Sequence, residues 1–304
     1  MEFPMKLFQV LRNTMRKIIH KVDYDNKTFW IKERKKLHPF QLSNRMSKVY
    51  LPILTPGLLI DFEVTKTKHP RRTKKVAHIT QIVMLEPYQI IHDLDTLRTD
   101  MLDVIKHVKH FAYLDFEMSM PAFSKRGHHQ TEIIQFGVVI TDEHHQILEK
   151  HSSYVFKKRH GLLSDRTLKF LKIEQESYLE GAISYLSFYE ITKDIQTKFQ
   201  PKWIVWGKND IQVLNDSFIL HEQPPLVQSN DFMDLLKLHK DYYSLKDDLG
   251  LLKAFQLYYK EEIHQKHDAL DDAMMTALIM RGFIETMKAH KKSRPRRIDL
   301  VLST

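Results

Sequence analysis

The sequence predicts two domains of different class: a small, basic, β-rich domain, then a larger α/β domain of layered sheet and helices. Three observations carry this. Residues 18–88 hold about five short β-rich runs broken by turn signals. Residues 110–156 hold three more strand-like runs in succession, after which helical periodicity takes over around one short apolar strand. Charge divides in the same way. Residues 1–110 carry 21 Lys+Arg against 11 Asp+Glu, residues 111–290 carry 21 against 26, and the last fourteen residues carry five against one. The expected boundaries are a basic β-rich domain with its linker helix at 1–105, the α/β domain at 106–290 and a basic tail at 291–304.

At 304 residues, 42% hydrophobic and 28% charged, the chain can build a sizeable core in each domain. No apolar run reaches the ~18 residues of a membrane span. The basic start MEFPMKLFQVLRNTMRKIIH lacks the uninterrupted apolar stretch and small-residue cleavage site of a secretory signal, and reads as a first strand or helix. Cys is absent, which excludes disulfides and thiolate metal sites. A reducing, cytoplasmic location with no membrane partner is the expectation. A cationic region beside an anionic one fits a polyanion holder next to a site that gathers cations. Charge carried only for solubility fits the same numbers.

In the first domain, IIHKVDYDNKTFWIKER reads as a hairpin turning at YDNK. KVYLPILTPGLLIDFEVTKT reads as two runs around a Pro-Gly turn, and TKHPRRTKKVAHITQIVML as a basic loop before a last strand. Five strands in so few residues suggest a small barrel of the OB type. Trp30, Lys32, Arg34 and the loop residues Arg71, Arg72, Lys74 and Lys75 are then candidate nucleic-acid contacts, since aromatic faces stack bases and cations hold phosphates. Phe29 and Trp30 alternate, so one of them belongs to the core.

Residues 89–108 have helical periodicity and form the expected linker. HFAYLDFEMSM, TEIIQFGVVI and HQILEKHSSYVF then read as an antiparallel meander. Helices follow from Ser164 and over 177–199, KWIVWG is a buried strand with Trp203 and Trp206 in its core, a helix begins near Asp210, and a last helix spans about 268–290. Asp231 and Asp234 read as turn or cap residues. His128, His129, His144 and His145 read as exposed turns, and His264 as a surface residue.

Three stretches carry chemistry. In YLDFEMS, Asp115 and Glu117 are two apart on an apolar strand and share a face. Paired buried carboxylates repel unless a cation lies between them, and hard ions such as Mg²⁺ or Mn²⁺ favour their oxygens. One solvated and one buried, hydrogen-bonded acid would satisfy the same pattern. In WIVWGKND, Asp210 lies where a helix starts after a buried strand; alone it reads as an N-cap. In KHDALDDAMM, Asp268 fits the cap and Asp271 the first turn of the helix. His267 and Asp272 have no such explanation.

Together these stretches resemble the DEDDh exonucleases, the DnaQ-like family that includes proofreading subunits and ribonuclease T. Asp-x-Glu on a first strand, an Asp after a Trp-Gly turn and His-x-Ala-x-x-Asp-Ala follow the family's order over about residues 108–290. WGKND and HDALDDA are most similar to the KapD-like branch, related to exoribonucleases. The resemblance implies an RNase H-like fold and 3′→5′ hydrolysis of single-stranded nucleic acid, RNA favoured. It also implies two Mg²⁺ or Mn²⁺ ions held by Asp115, Glu117, Asp210 and Asp272, with His267 as general base. Phe116, Met118 and Ser119 would lie beside the substrate, with Phe116 also suited to the core. Ser119 stands where many members have Thr, and Gln135 where many have Glu. The alternatives are a DNA exonuclease and a catalytically silent nucleic-acid-binding scaffold. A first domain that docks a protein is a third reading.

Overall fold

The computed structural model describes residues 15–34, 36–65, 73–123, 129–158, 161–243, 245, 247–260 and 267–292. The chain divides into two compact units, Met1–Met101 and Leu102–Thr304.

The first unit is built on six strands: β1 (Met15–Asp23), β2 (Thr28–Glu33), β3 (Lys36–Gln41), β4 (Leu59–Val64), β5 (Lys74–Met84) and β6 (Gln89–Asp93). β1 and β2 form the expected hairpin. The segment expected as a strand before the Pro-Gly turn is instead helix α1 (Asn44–Tyr50) and a 3-10 turn at Leu51–Ile53. Ser43 decides this locally: its side chain accepts the Met46 N–H and caps α1. β1 pairs antiparallel with β2 and β4, β2 with β3, and β4 with β5. A parallel pairing of β3 with β5 through Phe40–Lys74 and Gln41–Lys75 closes five strands into a barrel. Phe29, Phe40 and Phe62 fill it, with ring centroids 4.9–5.6 Å apart. Phe29 is the inward member of the Phe29–Trp30 pair.

The expected linker helix is shorter than its periodicity suggested. Residues 89–93 are β6, and helix α2 begins only at Leu94 (Leu94–Lys106). Asp93 accepts the Asp95 and Thr96 N–H groups and so sets the boundary.

The second unit opens with the meander β7 (His110–Met118), β8 (Ile133–Asp142) and β9 (Ile147–Val155), all antiparallel. Helix α3 (Asp165–Leu171) starts at Ser164 as expected. The expected long helix over 177–199 is broken into α4 (Gln175–Gly181), the short strand β10 (Ala182–Ile183) and α5 (Tyr185–Phe199). Ser184 caps the second of these helices, accepting the Ser187 N–H. Then come β11 (Lys202–Val205), α6 (Asn209–Leu220), β12 (Phe232–Asp234), α7 (Leu235–Tyr242), α8 (Leu251–Tyr258) and α9 (Ala269–Lys292). Asp234 caps α7 by accepting the Lys237 N–H.

The sheet order is β10-β9-β8-β7-β11-β12, with β11 parallel to β7 and β12 parallel to β11. β7 therefore lies mid-sheet. Its side chains Ala112, Leu114 and Phe116 join Phe136, Phe188, Trp203 and Phe218 in one core. Trp206 is only half-buried and donates its indole N–H to the Leu249 carbonyl. His144 is exposed, but His145 is half-buried with its ring stacked on Phe111 at 5.3 Å. His129, also expected in an exposed turn, is half-buried and bonds the Ser119 carbonyl at 3.0 Å through Nε2. His128, His264 and residues 293–304 lie outside the described residues.

Candidate active site

Strand alternation sets the first two ligands. Phe116 points into the core against Phe188, so Asp115 and Glu117 share the other face of β7. The pleat that turns Asp115 and Glu117 to the acidic face turns the Phe116 ring to the core.

Asp210 is the second residue of α6, not its cap. The helix begins after Lys208, and the Asp210 carboxylate reaches across to β7, where Oδ1 accepts the Phe116 N–H at 3.2 Å. β11 runs parallel beside β7, so the helix that follows it delivers Asp210 to the end of β7 that carries the pair.

Asp272 comes from α9. Asp268 caps this helix, its Oδ1 accepting the N–H groups of Leu270 and Asp271 at 3.0 and 3.1 Å. One residue earlier, His267 holds a left-handed backbone (φ +54°), which leaves its ring against Phe170 with centroids 4.5 Å apart. Ligating atoms of Glu117, His267 and Asp272 all lie within 4.8 Å of one another.

Gly137 makes this approach possible. It pairs with Asp115 across β7–β8, and a Cβ there would stand 2.2 Å from the Ala269 carbonyl carbon and oxygen. The bare backbone lets the start of α9 rest on the sheet. A glycine within the run IIQFGVVI was the available signal, since glycine inside a strand marks a close backbone approach. The contact of Phe170 with His267 had no counterpart in the sequence.

The electrostatics follow from burial among like charges. Burial, then Asp210, Asp272, Glu117 and Asp268, hold the Asp115 carboxyl well above its ordinary range. Burial, then Asp272, Asp210 and Asp268, push Glu117 up to about 8. Burial raises Asp210 to about 7 against the lowering effect of its backbone hydrogen bonds. The charges acting most strongly on Asp115 and Glu117 are all negative. Carboxylate oxygens with one imidazole form a donor set suited to a hard divalent cation, which would supply positive charge among these carboxylates.

With this geometry in place, comparison with known proteins decides the family. Residues 112–280, more than half of the chain, match the RNase T family model, described as exonuclease. This chain is a member of that exonuclease family. The exonuclease is 31% identical over 196 residues to a probable 3′-5′ exonuclease, KapD, of Bacillus subtilis (strain 168), covering 62% of this chain and 92% of that protein. Among solved structures it is similar to the nuclease domain of 3′hExo, a DEDDh family member bound to rAMP, with a TM-score of 0.51, 18% identity, and 60% of this chain and 94% of that one covered. Cell-death related nuclease 4 gives a TM-score of 0.50, 20% identity, and 59% and 64% coverage. These likenesses establish the RNase H-like exonuclease fold for the mixed sheet and its helices. The DEDDh resemblance read from the sequence is thereby shown.

The other residues expected at the substrate fall in varied surroundings. Ser119 is buried, with its hydroxyl accepting the Glu132 N–H at 3.0 Å. Met118 is half-buried against the core. In the first unit Trp30 is half-buried, and Lys32, Arg34, Lys74 and Lys75 are exposed. Arg71 and Arg72 lie outside the described residues. No helix among the described residues is long and apolar enough to cross a membrane.

Proposed function

We propose that this chain is a metal-dependent 3′→5′ exonuclease acting on single-stranded nucleic acid. The observation that carries the reading is the convergence of Asp115, Glu117, Asp210 and Asp272, from three separate elements, on one acidic pocket with His267 at its edge. The four carboxylates would hold two divalent ions, Mg²⁺ or Mn²⁺, which supply charge neutralisation at the phosphate and an acidified water. The similarity to KapD, a probable 3′-5′ exonuclease, supports the 3′→5′ direction.

His267 then acts as general base. It accepts a proton from the water whose oxygen forms the new bond to phosphorus. The bond from phosphorus to the O3′ of the preceding nucleotide breaks and the leaving O3′ takes a proton from solvent, giving a 5′-mononucleotide and a strand shortened by one with a new 3′-hydroxyl. The ring of Phe170 holds the imidazole on the side of Glu117 and Asp272. A base positioned in this way contributes roughly 10²–10⁴-fold.

RNA is the favoured substrate, supported by the similarity to the KapD branch and by the barrel. The barrel's strand circuit β1-β2-β3-β5-β4, its parallel β3–β5 pair and its helix between β3 and β4 support an OB-like reading. Its outward Trp30, Lys32, Lys74 and Lys75 would hold the strand by stacking and phosphate contacts.

The test uses 3′-labelled and 5′-labelled oligonucleotides of matched RNA and DNA sequence, with Mn²⁺ or with chelator. Shortening from the 3′ end with Mn²⁺ alone is expected, faster on RNA. A full-length product in every lane would leave a nucleic-acid-binding scaffold as the better description.

A further inference from the structure

We infer that Gln135 is a positioning residue of this exonuclease, and that it sets the catalytic register of α9 through a hydrogen-bonded clamp on Asp268. The inference rests on the active-site reading above and adds a residue to it.

Gln135 is buried on β8, opposite Glu117 on β7. Gln135 and Gly137 are two apart and share a face, so the side chain that grips α9 and the glycine that admits it act together. The Gln135 amide nitrogen donates to Asp268 Oδ2 at 2.7 Å. Its carbonyl oxygen accepts the Ala269 N–H at 3.4 Å. Asp268 turns its other oxygen to the N–H groups of Leu270 and Asp271. One amide therefore ties the first backbone N–H of α9 and the cap of α9 to the strand beside Glu117. His267 lies one residue before the clamp and Asp272 four after it, so shifting the clamp moves both at once.

Many members of the family have Glu at this position, and it is Asp268 as partner that calls for an amide in this chain. The site needs a donor toward Asp268 and an acceptor toward Ala269, and a side-chain amide offers both without charge. A carboxylate at 135 would keep the acceptor, lose the donor and oppose Asp268 with a second negative charge. Asp268 already bears on Asp115 and Glu117. Drawing its carboxylate into a hydrogen bond with Gln135 keeps that charge directed at the helix cap.

The test is a charge-swap cycle. Gln135→Glu is expected to lower kcat roughly 10–100-fold, the scale on which groups that orient a site's ligands act, with a smaller change in KM. Asp268→Asn in the same chain restores the donor in the opposite direction, and Gln135→Glu/Asp268→Asn is expected to regain at least tenfold. Gln135→Met removes both hydrogen bonds without charge. It should lose activity that Asp268→Asn does not restore, which separates the clamp from packing. The rise in Tm caused by Mn²⁺, read on the same variants, should follow the same order. That readout stands if the wild-type protein cleaves no oligonucleotide, an outcome that would end the nuclease reading and leave the clamp to be judged on metal binding. Wild-type turnover and an unchanged Mn²⁺ response in Gln135→Glu, or strictly additive effects in the double variant, would overturn the inference.

Discussion

At the scale of single residues the pocket is a stability cost kept for its chemistry. Asp115, Glu117 and Asp210 are held above their ordinary ranges by burial, and like charges add to it. Without metal, ionising them disfavours the fold. The sign follows from linkage. Glu117 titrates at about 8 in the folded protein, against an ordinary value of 4.5. Between those values the folded state binds more protons than the unfolded chain, so stability falls as pH rises. His221 and His239, lowered to about 4 by burial, act in the opposite sense only below their ordinary 6.5. In chelator, Tm should therefore fall between pH 6.5 and 8, and Glu117→Gln should flatten that decline. A decline of equal slope in both proteins would contradict the assignment. Asp115→Asn should raise the metal-free Tm at pH 8 while lowering kcat by about 10³-fold, the equivalent of several kcal/mol of charge stabilisation at the phosphate. Steady-state cleavage and thermal melts on one preparation check both.

At the scale of elements, the contact of α9 with β8 decides whether the acids converge. Gly137→Ala would place a methyl where the Ala269 backbone lies, so the helix must move. Overpacking of this kind costs about 1–3 kcal/mol. The expected outcome is a lower Tm and a loss of cleavage larger than the loss of stability explains, because Asp272 and His267 travel with the helix. Near-wild-type kcat in a folded Gly137→Ala protein would show that the approach is not needed. Elements were also where sequence periodicity misled. The apolar run over 177–199 reads as one helix, yet Ser184 caps a second one after β10 pairs with β9. The run before the Pro-Gly turn has strand-like composition, but the Ser43 cap makes it a helix. In both places one hydroxyl accepting one N–H outweighed the average character of the segment.

At the scale of the whole molecule, the chain's excess of basic over acidic residues lies in its first folded unit. If the barrel holds the strand, Lys32→Ala/Lys74→Ala/Lys75→Ala should weaken binding of a long oligonucleotide and reduce the slope of log affinity against log salt, by about one for each phosphate no longer neutralised. Cleavage of a substrate of two or three nucleotides should be unaffected. An unchanged salt slope in the triple variant would favour a barrel that docks protein. These lysines were legible from composition. That Phe116 and Ser119 turn inward was not, since a strand's alternation says which residues share a face and the surrounding packing says which face is the core.

The sequence by itself carried the resemblance to the family, the order of its acidic motifs and the chemistry that such residues support. It did so because residue type and spacing record which donors are available and which neighbours share a face or a helix turn. Only the tertiary structure decided that Asp210 reaches the Phe116 N–H instead of capping its own helix, that Gly137 admits α9, and that Gln135 clamps it. Each of those depends on residues about 90 to 135 positions apart meeting in space. Local propensity carries no information at that range; the parallel placement of β11 beside β7 supplies it for Asp210, and the packing of α9 on β8 supplies it for Gly137 and Gln135.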